Sequence, residues 1–159
     1  LAEDSEVRRG WLPYTRRNIV TTAFKLLDNP YDWTGAWMGR SHETTWRDIF
    51  ACFGFRLPYQ GELFTHFGDC EEVLPVEMSR EERNRRILAH EPFITLMVSW
   101  EHAQLLLGGH NGIPIVFDNH GYDYKTETGE LLEIKRTCVG DTRQPWYFYD
   151  HPVTFLEIR

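Results

Sequence analysis

Two histidines hold most of the chemistry this chain can perform. His42 stands in Gly39-Arg40-Ser41-His42-Glu43-Thr44-Thr45-Trp46-Arg47-Asp48-Ile49-Phe50, where an amphipathic helix begins. His102 opens the run His102-Ala103-Gln104-Leu105-Leu106-Leu107-Gly108. The first turn of a helix presents N–H groups with no intrahelical partner and the positive end of the macrodipole, so it favours an anion such as a thiolate. An imidazolium meets the opposite bias there. His42 is therefore expected to be neutral near pH 7 unless Glu43 or another acid compensates. A neutral imidazole accepts a hydrogen bond or binds a metal. Toward an amide it is a poor nucleophile, because the acyl-imidazole formed is more reactive than the amide consumed.

A metal is the sharper alternative. Asp118 and His120, at i and i+2 of a strand, point to one side of it. His42, His102, Asp118 and His120 together offer three imidazoles and a carboxylate, a set that suits zinc, and an open position on the ion would allow hydrolysis. No compact metal motif such as His-Glu-x-x-His is present, so the ligands come from separate elements. On the plainer reading His120 is a turn residue beside Gly121, Asp118 is solvated, and no cofactor is required.

A thiolate at that helix start would have to come from one of three cysteines, of which only Cys70 could in principle reach it. Cys52 lies about 15 Å along the helix from His42. Cys138 falls in a strand and reads as a small buried apolar residue. Cys70, in Phe67-Gly68-Asp69-Cys70-Glu71, falls in a loop whose acidic neighbours raise a thiol pKa. Three cysteines without a Cys-x-x-Cys spacing give neither a disulfide framework nor a structural zinc site.

The elements that must position these groups are legible as patterns. Thr15 caps a helix running to about Leu27, with Ile19, Ala23, Leu26 and Leu27 on one face, and Asp28-Asn29-Pro30 stops it. A second helix starts near Ser41 and buries Trp46, Ile49, Phe50 and Phe53, with Gly54 as its C-terminal cap. Residues 59–78 read as a long connection. Ser79-Arg80-Glu81-Glu82 is a capping-box signal for a short charged helix to about Ala89, whose Arg- and Glu-rich face reads as solvated. Residues 93–100, 102–107, 113–118, 131–139 and 153–158 read as strands. Gly108-Gly109-His110-Asn111-Gly112 supplies a hairpin turn between the second and third of them. Helices first and an antiparallel sheet of about five strands afterwards make an α+β layout.

Composition bounds the partners. A chain of 159 residues suits one domain with a single core. Net charge is −7 with acids and bases interleaved, which argues against a nucleic-acid or anionic-membrane partner. No apolar run approaches the roughly 18 residues of a membrane span, and no signal peptide is read. Residues 1–10 read as a linker or the remnant of an upstream domain, and residues 11–159 as a single domain.

Taken together, these stretches resemble the NlpC family of papain-like cell-wall cysteine peptidases. The turn Tyr31-Asp32-Trp33-Thr34-Gly35 and the helix that follows resemble that family's active-site stretch, in which Asp-Cys-Ser starts the helix. Here the triplet is Ser41-His42-Glu43. Gly10-Trp11-Leu12-Pro13-Tyr14-Thr15 resembles the entry to the peptidase domain, and Phe53-Gly54-Phe55-Arg56-Leu57-Pro58 the exit from the nucleophile helix. Pro92-Phe93-Ile94-Thr95-Leu96 resembles the strand before the base histidine, Glu101-His102 onward the strand that carries it, and Phe155-Leu156-Glu157 the closing strand.

The resemblance implies a papain-like α+β fold with N-terminal helices packed on the sheet. It also implies an extracytoplasmic or cell-wall location in a bacterium. By position, the family's cysteine falls on His42, its base histidine on His102 and its third, orienting residue on Phe117 beside Asp118, with Asp118 a candidate orienting group. A ligand cleft would be lined by Trp33, Trp37, Glu43, Tyr59, Trp100 and Phe117, while Trp46 belongs to the core. The expected function is thus an NlpC-like domain without its nucleophile that binds a cell-wall peptide or a protein partner. The alternative is an active stem-peptide hydrolase of the γ-D-glutamyl-diamino-acid endopeptidase kind, using a metal at His42 and His102 or another nucleophile.

Overall fold

In the computed structural model, Thr15 ends an extended entry segment and its side chain accepts a hydrogen bond from the Asn18 N–H at 3.3 Å, starting α1 (Arg16–Phe24). The structure describes residues 10–34, 39–58, 69–99, 102–120, 123–125, 128–143 and 149–157. Helix α1 is one turn shorter than its apolar spacing predicts. Asp28 adopts a φ of 63°, and its N–H and the Asn29 carbonyl bond to Thr137. That pairing turns the chain away, so Ile19 and Ala23 are buried while Leu27 is largely exposed. Helix α2 (His42–Ala51) begins at Ser41, whose hydroxyl accepts from the Thr44 N–H at 3.2 Å, and it buries Trp46, Ile49 and Phe50. Gly54, with a φ of 88°, follows its end.

Strands β1 (Asp69–Leu74), β2 (Thr95–Ser99), β3 (His102–His110), β4 (Ile113–His120), β7 (Arg136–Asp141) and β8 (Val153–Glu157) form an antiparallel sheet in the order β1-β8-β2-β3-β4-β7. A separate two-stranded ribbon pairs β5 (Asp123–Lys125) with β6 (Leu131–Glu133). Helix α3 (Arg80–Ile87) is capped by Ser79, which accepts from the Glu82 N–H. The α+β layout is as the sequence pattern implies, with three differences. The 59–78 connection contains β1, whose sequence lacks apolar alternation because it is an edge strand held only by β8. The single strand expected at 131–139 is two, broken where Lys135 takes a φ of 40°. The hairpin turn is only Asn111-Gly112, both at positive φ, as a two-residue type I′ connection requires.

Helices cover both faces of the sheet. On one face α1 and α2 bury Trp46, Phe50, Leu96, Leu105, Phe117 and Leu156 in the larger core. On the other, Ile87 of α3 joins Leu74, Met97, Leu106, Val116 and Phe155. Helix α3 is therefore more than a solvated charged face. Arg83 is fully buried, and its guanidinium donates to the Pro75 carbonyl at 2.6 Å and to the His151 carbonyl at 2.8 Å. A buried cation needs such partners. No helix among the described residues is long and apolar enough to cross a membrane.

Replacing Arg83 with Ala removes both hydrogen bonds of a buried guanidinium and leaves a cavity, so stability should fall by about 2–4 kcal/mol. Arg85→Ala, which breaks only an exposed pair with Glu82, should leave the urea midpoint unchanged. Equal midpoints for the two variants would contradict the clamp.

Candidate functional site

Asn119 fixes where α2 begins. Its side chain is fully buried, and Nδ2 lies 2.7 Å from the Arg40 carbonyl, 3.2 Å from the Ser41 carbonyl and 2.5 Å from Thr45 Oγ1. One β4 amide thus binds the cap and first turn of the helix. Trp46 Nε1 adds a second tie, donating to the Ala103 carbonyl of β3 at 2.8 Å. The approach to the cap is close as well. Asp32 accepts from the N–H and hydroxyl of Thr34, closing the turn, and the backbones of Tyr31 and Arg40 form a parallel bridge. A Cβ on Gly39 would meet Asp32 Cβ at 2.4 Å, so only glycine lets the two segments pass.

These ties bring His42 against His102, with ring centroids 4.6 Å apart. His42 Nε2 lies 3.0 Å from Glu43 Oε1. Burial tends to raise the Glu43 carboxyl, but the hydrogen bond and charge of His42, with help from Ser41, lower it below its ordinary value. The compensating acid that an imidazole at a helix N-terminus calls for is therefore present. Trp33, 63% exposed, stands edge-on to the His42 ring at 6.5 Å.

On its far side His102 is held by Asp118: Nε2 lies 2.6 Å from Oδ1, and Gln104 Nε2 donates to Oδ2 at 2.8 Å. All three side chains are buried. Burial tends to raise the Asp118 carboxyl. The charges of His102 and His120 and the hydrogen bonds from His102 and Gln104 outweigh it and hold the pKa at about 2. With Nε2–H committed to this carboxylate, a neutral His102 carries its lone pair on Nδ1. A base oriented in this way is half of a nucleophile–base pair. The group facing it across the site is an imidazole.

Placement of the other sequence candidates is mixed. Asp118 occupies the orienting position, one residue beyond the alignment to Phe117. Phe117 lies fully buried on the opposite side of β4, packed against Trp46 and Phe24, so it belongs to the core and lines no cleft. His120 is a buried strand residue whose Nδ1 lies 3.7 Å from Asp118 Oδ2, not a turn residue. Asp118 is likewise unsolvated. Donor atoms of His102, Asp118 and His120 lie within 4.8 Å of one another, whereas His42 falls outside that trio. Trp37, Tyr59 and Trp100 lie outside the described residues. Cys52 is exposed at the far end of α2. Burial, followed by the charge of Asp118, pushes the Cys138 thiol up to about 12, far from an activated thiolate. Sequence reasoning missed Asn119 and Gln104, whose partners only the sheet register reveals.

Asn119→Ala should cost roughly 1–3 kcal/mol, because it removes the hydrogen bonds by which β4 holds the helix cap and leaves a small cavity in their place. Chemical denaturation checks this, and a loss no larger than that of an exposed asparagine would contradict it. A carboxyl whose folded pKa lies below its unfolded value near 3.9 stabilises the fold above that value, and the contribution is lost as pH falls toward the folded pKa. Stability attributable to Asp118 should thus disappear between about pH 4 and pH 2. Asp118→Asn should flatten the stability profile in that window; an unchanged slope would count against the pairing.

No family model and no curated protein sequence matches the chain. Among solved structures, one described as a novel NlpC/P60 endopeptidase from Photobacterium damselae subsp. piscicida superposes with a TM-score of 0.66 at 15% identity. The match covers 89% of this chain and 38% of that one. At that identity the likeness is one of fold: the chain has an NlpC/P60-endopeptidase-like α+β architecture.

Proposed function

We propose that this chain is an NlpC-like domain that has lost cysteine peptidase chemistry and binds a cell-wall peptide in the cleft beside His42. The observation that carries this reading is the pair at the start of α2. The His42 ring sits 4.6 Å from His102, at the helix position suited to a thiolate, while Asp118 keeps His102 oriented. Amide attack through an imidazole leads uphill to an acyl-imidazole, so His42 does not stand in for a cysteine. Neither Cys52 nor Cys138 is placed to do so. What supports binding is an exposed aromatic, Trp33, beside the buried His42 and its partly exposed partner Glu43. An extended peptide offers amide groups and a free ammonium or carboxylate to such a cleft. A cell-wall location in a bacterium is part of the same proposal.

The test is co-sedimentation with purified peptidoglycan. The protein should pellet with the polymer at modest salt, and Trp33→Ala should weaken binding at least several-fold. No binding above a control protein would contradict the reading. Geometry can be tested separately with His42→Cys. A thiol there meets a helix N-terminus and an oriented histidine, so it should alkylate with iodoacetamide faster at pH 6.5 than Cys52, by tenfold or more. The added change His102→Ala should abolish the advantage. A His42→Cys thiol no faster than Cys52 would overturn the placement.

A further inference from the structure

Strands β3, β4 and β7 set two rows of polar side chains next to one another. Register pairs Asp118 with Cys138 and His120 with Arg136. Continuing the β3–β4 register past Leu105↔Phe117 sets Gln104 opposite Asp118 and His102 opposite His120. The result is two imidazoles and a carboxylate converging inside the protein, each residue at most 5% exposed. One donor atom from each lies within 4.8 Å of the others, with Asp118 oxygens 2.6 Å from His102 Nε2 and 3.7 Å from His120 Nδ1. Donors on a tetrahedral zinc ion with bonds of about 2.0–2.1 Å stand about 3.4 Å apart. Small side-chain rotations therefore separate the first pair and draw in the other.

A second observation points the same way. A cavity of about 10 Å³ adjoins the trio, bounded by Gln104, Asp118, His120 and Cys138. A space of that order admits a single small polar occupant. Gln104 Oε1 is buried and has no hydrogen-bond partner among the described residues, which costs free energy unless something occupies the site.

We propose that His102, Asp118 and His120 bind a first-row divalent ion of the zinc type, whose remaining position faces the cavity beside Gln104. Coordination replaces the direct His102–Asp118 hydrogen bond, and Gln104 Nε2 continues to orient the carboxylate from outside, as second-layer partners of metal ligands do. With Nε2 on the ion, the proton of His102 sits on Nδ1, so the ion would join β3 to β4 and turn the imidazole from base to hydrogen-bond donor. This inference does not depend on peptide binding, because His42 is not a ligand.

The test uses tag-free protein carrying Cys52→Ser, stripped with chelator and titrated with Zn²⁺ by calorimetry, with Co²⁺ absorption as a probe of coordination. One ion per chain and a Tm that rises with Zn²⁺ concentration are expected. His120→Ala and the closer-sized His120→Gln should each weaken Zn²⁺ affinity at least tenfold, while His110→Ala, on an exposed residue at the far end of β3, leaves it unchanged. Circular dichroism identifies any variant that fails to fold, and the other substitution then decides. Absence of saturable binding, or stoichiometric binding that survives both His120 changes, overturns the proposal. Trp33→Ala separates the two readings, since it should weaken peptidoglycan binding and leave Zn²⁺ affinity unchanged.

Discussion

A single carboxamide ties the sheet to the helix that bears the site. Asn119 gathers the Arg40 and Ser41 carbonyls and the Thr45 hydroxyl with one buried Nδ2. The start of a helix is the part of its backbone least constrained by its own hydrogen bonds. Left to propensity alone, it would fray by a residue or two. Held to β4, it presents His42 to the ring of His102 at a fixed distance. The same strand carries Asp118 on its other side, so two adjacent residues set the helix cap and the acid behind the histidine. Phe117, just before them, packs against Trp46 and keeps the arrangement rigid.

The geometry of the site thus rests on groups apart from His42. The groups that set geometry are Asn119, Gly39, Ser41, Trp46 and the register of β3 on β4. None of them is the reacting group. Position 42 is buried at a helix N-terminus, and Glu43 supplies the acid that an imidazole needs there. Asp118 remains ionised despite burial because two imidazoles and an amide face it, so the base side of the pair keeps its electrostatics. In the proposed reading the base outlasts the nucleophile and the cleft serves recognition.

Much of the framework was legible in the sequence because it rests on local rules. Thr15, Ser41 and Ser79 each announce a helix by a capping side chain, and each accepts the expected backbone N–H. Apolar spacing identified the buried face of α2, and short runs bounded by turn residues identified the central strands. Information held by long-range partners was not legible. Strand β1 is charged and paired on one side only. Arg83 reads as solvent-facing until the Pro75 and His151 carbonyls close around it. The family's orienting position falls on Phe117 beside Asp118, and in a strand one residue changes the face. Of the two, Asp118 is the one whose carboxylate meets His102. Asn119 resembles any turn asparagine in one dimension.

The central claim is that thiol-dependent cleavage is gone from a site whose base remains in place. Its most direct test is mass spectrometry of purified stem peptides incubated with the wild-type protein, with and without prior thiol alkylation. The account predicts intact peptides in both samples. Cut peptides whose release is abolished by alkylation would contradict it, by showing that a cysteine of this chain still serves His102 as nucleophile.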